Sequence, residues 1–167
     1  MTPAELLRGA PSLKLPPPGY DPLGAEDAFA EGQLVGFLMD VQESAFAALL
    51  DLRTAIQLRS TNVAVVVARH TVAVDWTADR RLTPRTAWNV VRSIALTTPS
   101  SVMFELEFFP SAALRLEANR IECYLGTIED LPKAPPDLSG SRRVVERGTP
   151  RWSSEIVLVA NSWRVPR

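Results

Sequence analysis

From Gly32 onward, apolar and polar positions alternate with a period of two, the spacing of extended chain. Val35, Phe37, Met39 and Val41 alternate with Leu34, Gly36, Leu38 and Asp40, which predicts a strand over 34–41 with at least one apolar face. A turn over 41–44 follows. Residues 45–59 carry two conflicting signals. Their Ala, Leu, Gln and Arg content favours helix by intrinsic propensity. Their alternation favours strand: Phe46, Ala48, Leu50, Leu52, Thr54, Ile56 and Leu58 share one side, whereas a helix would place Arg53 inside the apolar stripe. A long strand is the expectation, with an α+β arrangement as the alternative.

After a turn at 59–62, the β-branched run 63–68 reads as a buried strand. Arg69-His70 interrupts it, and 71–76 resumes. A polar loop at 78–84 leads to a strand over 86–97, with Trp88, Val90, Ile94 and Leu96 on one face and Arg92 breaking that face. Residues 102–109 alternate cleanly, Val102, Phe104, Leu106 and Phe108 opposing Met103, Glu105, Glu107 and Phe109. Pro110-Ser111 turns the chain into 114–117, Asn119-Arg120 forms a kink or hairpin tip, and 121–128 follows. The stretch 130–148 is rich in Pro, Ser, Asp and Arg and reads as a long loop before a last strand near 155–160, with Trp152 and Trp163 flanking it.

The sum is about eight or nine strands joined by short turns, which require antiparallel neighbours. The predicted fold is mainly β, an antiparallel meander forming a strongly curved sheet or barrel over 34–167. Its core is expected from Phe37, Met39, Leu50, Leu52, Val65, Val67, Trp88, Ile94, Phe104, Leu106, Phe108, Leu114 and Leu116. Ahead of it, Pro3, Pro11, Pro16, Pro17, Pro18 and Pro22 make 1–33 an irregular, Pro-rich arm packed on the domain, with room for one helical turn at 26–31. Within the arm, Pro17-Pro18-Gly19-Tyr20 has the PPxY pattern that WW domains bind; an arm lying along the domain accounts for it equally well.

Composition changes this picture little. The chain has 167 residues, 46% hydrophobic and 22% charged, which suits one domain with a core of its own. Net charge is −1, giving no pull toward nucleic acid, but it is unevenly placed. Residues 1–50 hold seven acids and two bases, while 139–167 hold six arginines and two acids. Neutralisation of one end by the other accounts for this; a basic patch for an acidic partner is the sharper reading. The first ten residues lack the basic and apolar regions of a secretory signal, and no apolar run has membrane-spanning length. With one cysteine, Cys123, no intramolecular disulfide forms, and a cytoplasmic location is expected.

The reactive residues are few. His70 is the only histidine, so no two-histidine metal set exists, and no metal or cofactor is expected. Cys123 lies in an apolar strand and reads as an inert thiol. His70 reads as an exposed turn residue, or as a general base oriented by Asp75. The candidate binding residues are charged groups on strand faces. Glu105, Glu107 and Glu117 form one group; pairing of 107 with 115 would neutralise Glu107 by Arg115 and set Glu105 against Glu117. Facing carboxylates could do acid–base chemistry. Asp51 and Arg53 share a face, as an ion pair or as contact residues. Exposure at a sheet edge is the commonest explanation of Arg92; if buried it needs an acidic partner, and in a cavity it could hold an anionic head group.

Three functions follow as expectations. The first is a non-catalytic protein-interaction module, of the kind represented by toxin-neutralising immunity proteins or adaptor subunits, with a protein partner. The second is a small-molecule carrier or sensor built as a barrel, its cavity lined by Arg92 or Trp88. The third is an enzyme using carboxylates and arginines alone.

Overall fold

Two of the predicted breaks lie inside continuous strands, so the eight or nine expected strands become seven. A computed structural model describes residues 1–9, 14–79 and 87–167. Its elements are α1 (Pro3–Arg8), β1 (Gln33–Asp40), β2 (Ala45–Asp51), β3 (Val63–Ala78), β4 (Trp88–Thr97), β5 (Val102–Phe109), β6 (Ala112–Thr127), α2 (Arg142–Gly148) and β7 (Val157–Arg164). The expected loop at 78–84 lies mostly outside the described residues; Ala78 itself ends β3.

The mainly β, antiparallel reading holds: every strand pair is antiparallel. β1-β2-β3 is one meander and β4-β5-β6-β7 a second. Two seams join them. β3 pairs β6 from Val63↔Gly126 to Ala78↔Ala112, whereas β1 pairs β4 only at Gln33↔Asn89 and Leu34↔Trp88. The sheet is therefore ring-like without being a regular barrel, and β7 hangs on the second half of β6.

The ring's interior is filled by side chains. Phe46, Ala48 and Leu50 of β2 face Ala64 and Val66 of β3, Phe104 and Leu106 of β5, and Leu114, Leu116 and Ile121 of β6, all buried. Phe29, from the arm, also enters this cluster and meets Phe104 edge to face, with ring centroids 6.0 Å apart. The arm is held there by main-chain bonds to β4: Asp27 N–H to Ser93 C=O (2.8 Å), Glu31 N–H to Val90 C=O (2.9 Å) and Val90 N–H to Gly32 C=O (2.7 Å).

β2 is buried along its whole length because its other face is covered too. Ala45, Ala47 and Leu49 with Val63, Val65 and Val67 of β3 form a second apolar layer under Leu6 and Leu7 of α1. Burying each of those leucines stabilises by roughly 1.5–3 kcal/mol. α1 starts at a capping box. The Thr2 hydroxyl accepts the Glu5 N–H, and the Glu5 carboxylate accepts the Thr2 N–H at 2.7 Å. These bonds hold the Glu5 carboxyl below its ordinary value. Thr2-Pro3-Ala4-Glu5 is a readable start signal, so the arm is less irregular than expected.

Several expectations are corrected. The strand expected over 45–59 ends at Asp51; Leu52, Ala55 and Leu58 stay buried in turns, while Ile56 is exposed. Arg69-His70 and Asn119-Arg120 do not break their strands, because the β3–β6 seam runs on through them, from Arg69 opposite Arg120 to Thr71 opposite Ala118. Phe37 and Met39, expected in the core, are 40% and 55% exposed. Among the described residues, β1 has two strand neighbours only at Gln33 and Leu34, so its second half has a strand on one side only. Val65 and Val67 are buried, but under α1 rather than in the ring. Ile94 and Trp88 are half-buried. The long loop ends in α2, capped by Ser141, and the last strand runs to Arg164, so Trp163 lies within it.

Candidate binding surface

Five of the seven charged candidates lie on one outward sheet face, made by β4, β5 and the halves of β3 and β6 that pair beside them. A β-bulge between Val90 and Arg92 shifts the phase of β4. Val90 points inward, fully buried, and Arg92 turns outward, so Arg92 breaks no apolar face. It bonds Glu107 of β5 directly across the strand pair, Nη1 to Oε1 at 3.0 Å. That bond raises the guanidinium's affinity for its proton further.

The β5–β6 register differs from the expected one by two residues. Phe108 pairs with Ala112, so Glu105 faces Arg115 and Glu107 faces Ala113. Arg115 Nε donates to Glu105 Oε1 at 2.7 Å. Glu117 faces Met103, not Glu105, and accepts the Ser101 hydroxyl at 2.7 Å. The facing-carboxylate pair does not form. Asp75 of β3, opposite Arg115, completes the face. Arg92, Glu107, Glu105, Arg115 and Asp75 thus make a charged field across four strands, bordered by exposed Leu96, Val91 and Phe109.

Asp51 and Arg53 are elsewhere and do different work. Both side chains are buried, 3% and 4% exposed. Arg53 Nε reaches both Asp51 oxygens at 2.9 and 3.1 Å, and Nη2 bonds the same carboxylate. The remaining donors run to the Pro132 and Ala134 carbonyls (both 2.9 Å) and the Gly148 carbonyl (2.7 Å). The pair is a latch that fixes the two ends of the segment 130–148 against the end of β2, not a contact surface.

No protein-family model matches the chain, and neither a curated protein nor a solved structure matches it. Function is therefore argued from side-chain placement alone.

His70 is exposed, with φ of 51° in the middle of β3. It marks the point where the strand bends away from β2, and Thr71 N–H bonds Ser44 C=O there at 2.7 Å. Asp75 is five residues on, roughly 16 Å of extended chain, so it cannot orient the imidazole. Cys123 faces the ring interior opposite Val66, away from His70, and burial pushes its thiol well up. Among the described residues, no three of His, Cys, Asp and Glu gather as metal ligands.

One polar network was not foreseen. Glu122 is largely buried, yet it accepts Arg69 Nε (3.1 Å), Arg120 Nε (2.7 Å) and the Tyr124 hydroxyl (2.9 Å). Burial first, and the carboxylate second, push the Tyr124 phenol up to about 12. Arg69 also bonds the Leu6 and Leu7 carbonyls at the end of α1. These groups seat the helix. The signal was Arg69 and Glu122 within apolar runs, which asks for partners.

Proposed function

We propose that the protein is a non-catalytic interaction module, and that its contact surface is the outward face of β3, β4, β5 and β6. The observation that carries this reading is that, among the described residues, no element covers that face. It mixes paired charges with exposed Leu96, Val91 and Phe109, whereas the rest of the β3–β6 ribbon is roofed by α1 and β7-flanking residues. Among the described residues, the face holds Asp75, Glu105, Glu107 and Glu117 against Arg92 and Arg115. Four carboxylates and two guanidiniums suit a partner protein with a basic contact surface. A toxin neutralised by occlusion, or a subunit held by an adaptor, has that role, and the cytoplasm is its proposed location. No helix of the described residues is long and apolar enough to cross a membrane. An interior filled by Phe46, Leu50, Phe104 and Leu116 favours this reading over a ligand carrier.

The test is affinity capture from the native cell with the wild-type chain and with Glu105→Arg/Glu107→Arg. One protein should be retained in stoichiometric amount by the wild type and lost by the variant. Absence of any stoichiometric protein, or equal retention by both, overturns the reading.

A further inference from the structure

A second feature stands apart from that face. The β2–β3 connection and residues 127–133 enclose an open cleft of about 620 Å³, within the size range of small-molecule sites. Its two walls are fixed to each other. At the base, the Asn62 side-chain amide bonds both main-chain groups of Ile128, N–H and C=O, each at 2.9 Å. On the other side, the Arg53 latch holds the Pro132 and Ala134 carbonyls. The rim charges are all positive. Arg59 commits only Nε, to the Ile56 carbonyl at 3.0 Å, and its two terminal nitrogens have no partner among the described residues. Lys133 has neither a hydrogen bond nor an ion pair among them. No residue lining the cleft is Asp or Glu, while Ser60 and Thr127 add hydroxyls.

We propose that this cleft binds a phosphorylated small molecule. A planar guanidinium and a mobile ammonium on opposite walls match a phosphate's oxygens, one by paired N–H donors and the other as a point charge. The half-buried Leu131 and the exposed Pro132 leave an apolar surface for the body of the ligand. Arg53 adds no free charge, since Asp51 neutralises it; its part is to hold the wall bearing Lys133 in place.

Pyrophosphate, titrated at constant ionic strength into the 15N-labelled full chain, tests this. Saturable amide shifts at 59–62 and 127–133 are expected. Arg59→Ala/Lys133→Ala should raise the Kd at least tenfold, and Ser60→Glu, which puts a carboxylate in the cleft, should abolish saturation. These side chains are exposed, so the remaining spectrum should be unchanged. Linear, unsaturable shifts, shifts confined to the arginines of 142–151, or an unaltered Kd in the double variant would each overturn the proposal.

Discussion

β3 and β6 are single strands that pass through two environments. Over 63–68 and 121–126 every residue is buried: the chain is covered on both sides, between the ring interior and the layer under α1. Over 112–118 β6 buries Leu114, Leu116 and Ala118 on one side only, and over 71–78 β3 is at most half-buried, at Thr71, Val74 and Trp76. The pairing is continuous across the change. What differs is only what lies outside. The first half therefore reads as an unbroken apolar run, Val63 to Ala68, and the second as alternation, Leu114-Arg115-Leu116-Glu117. Polar residues can carry function in the second half at low structural cost. In the first half, a polar residue has to be satisfied inside the fold, as Glu122 is.

The largest test of that contrast is the buried Arg53. Arg53→Ala leaves Asp51 buried without its cation and releases both ends of 130–148. Urea unfolding should show a loss of about 4 kcal/mol, with faster amide exchange through 130–148. A loss no greater than that of a surface ion pair would mean the latch is not closed in solution.

Leu6→Ala follows. Leu6 is completely buried against β2 and β3, and its truncation should cost about 3 kcal/mol. The loss should come with faster exchange at 63–68 and none at 71–78, because α1 covers only the first. Equal acceleration in both halves would show that the ribbon's halves are not separately supported.

The helix cap is the next step down. Thr2→Ala removes one side of the capping box and should cost about 1 kcal/mol, read as a shift in the urea midpoint with an unchanged slope.

These contrasts also explain what could be read in advance. The parity of β5 and the apolar run of 63–68 were legible because one face, or both, must be dry. The end of β2 was not: Leu52 and Leu58 keep the alternation but are buried in turns, together with Ala55 of the opposite parity, while Ile56 is exposed. The bulge at Val91 was invisible as well, since an added residue changes phase without changing composition. Arg92 then looked misplaced when the strand had simply turned over. The Glu105–Arg115 pair missed the expectation by a two-residue register slip, which preserves the face and changes only the partners. The sheet face that gathers Arg92, Glu105, Glu107, Arg115 and Glu117 was thus partly visible. The Asp51–Arg53 ion pair was one of the two readings of those residues, but its role as a latch was not legible, because its other partners are main-chain carbonyls some 80 residues away.

The arm supplies a test by pH. Asp21 bonds Arg164 of β7, which joins the acidic N-terminal stretch to the basic C-terminal one. Burial alone would raise this carboxyl; hydrogen bonds from Arg164 and the Leu23 amide outweigh that and hold it below its ordinary value of 3.8. A depressed folded-state value means the stabilisation is present above 3.8 and is lost as pH falls through the folded value. Asp21→Asn should therefore be less stable than wild type at pH 6 and converge on it toward pH 2. Parallel pH profiles of the urea midpoint would remove Asp21 from the account.

The smallest effect belongs to the open face. Arg115 is exposed and Glu105 partly so, and their pair lies on the outward side of the ribbon. A double-mutant cycle with Arg115→Ala and Glu105→Ala should give a coupling energy under about 1 kcal/mol, and less in high salt. That near-neutrality is what the interaction reading requires, since a contact face should tolerate substitution in the free protein and register it only when a partner is bound. A coupling as large as the effect of Arg53→Ala would mean that the face is holding the sheet together. The charged field would then belong to the fold, and the contact surface would have to be sought on other exposed ground, such as the second half of β1 with Phe37 and Met39.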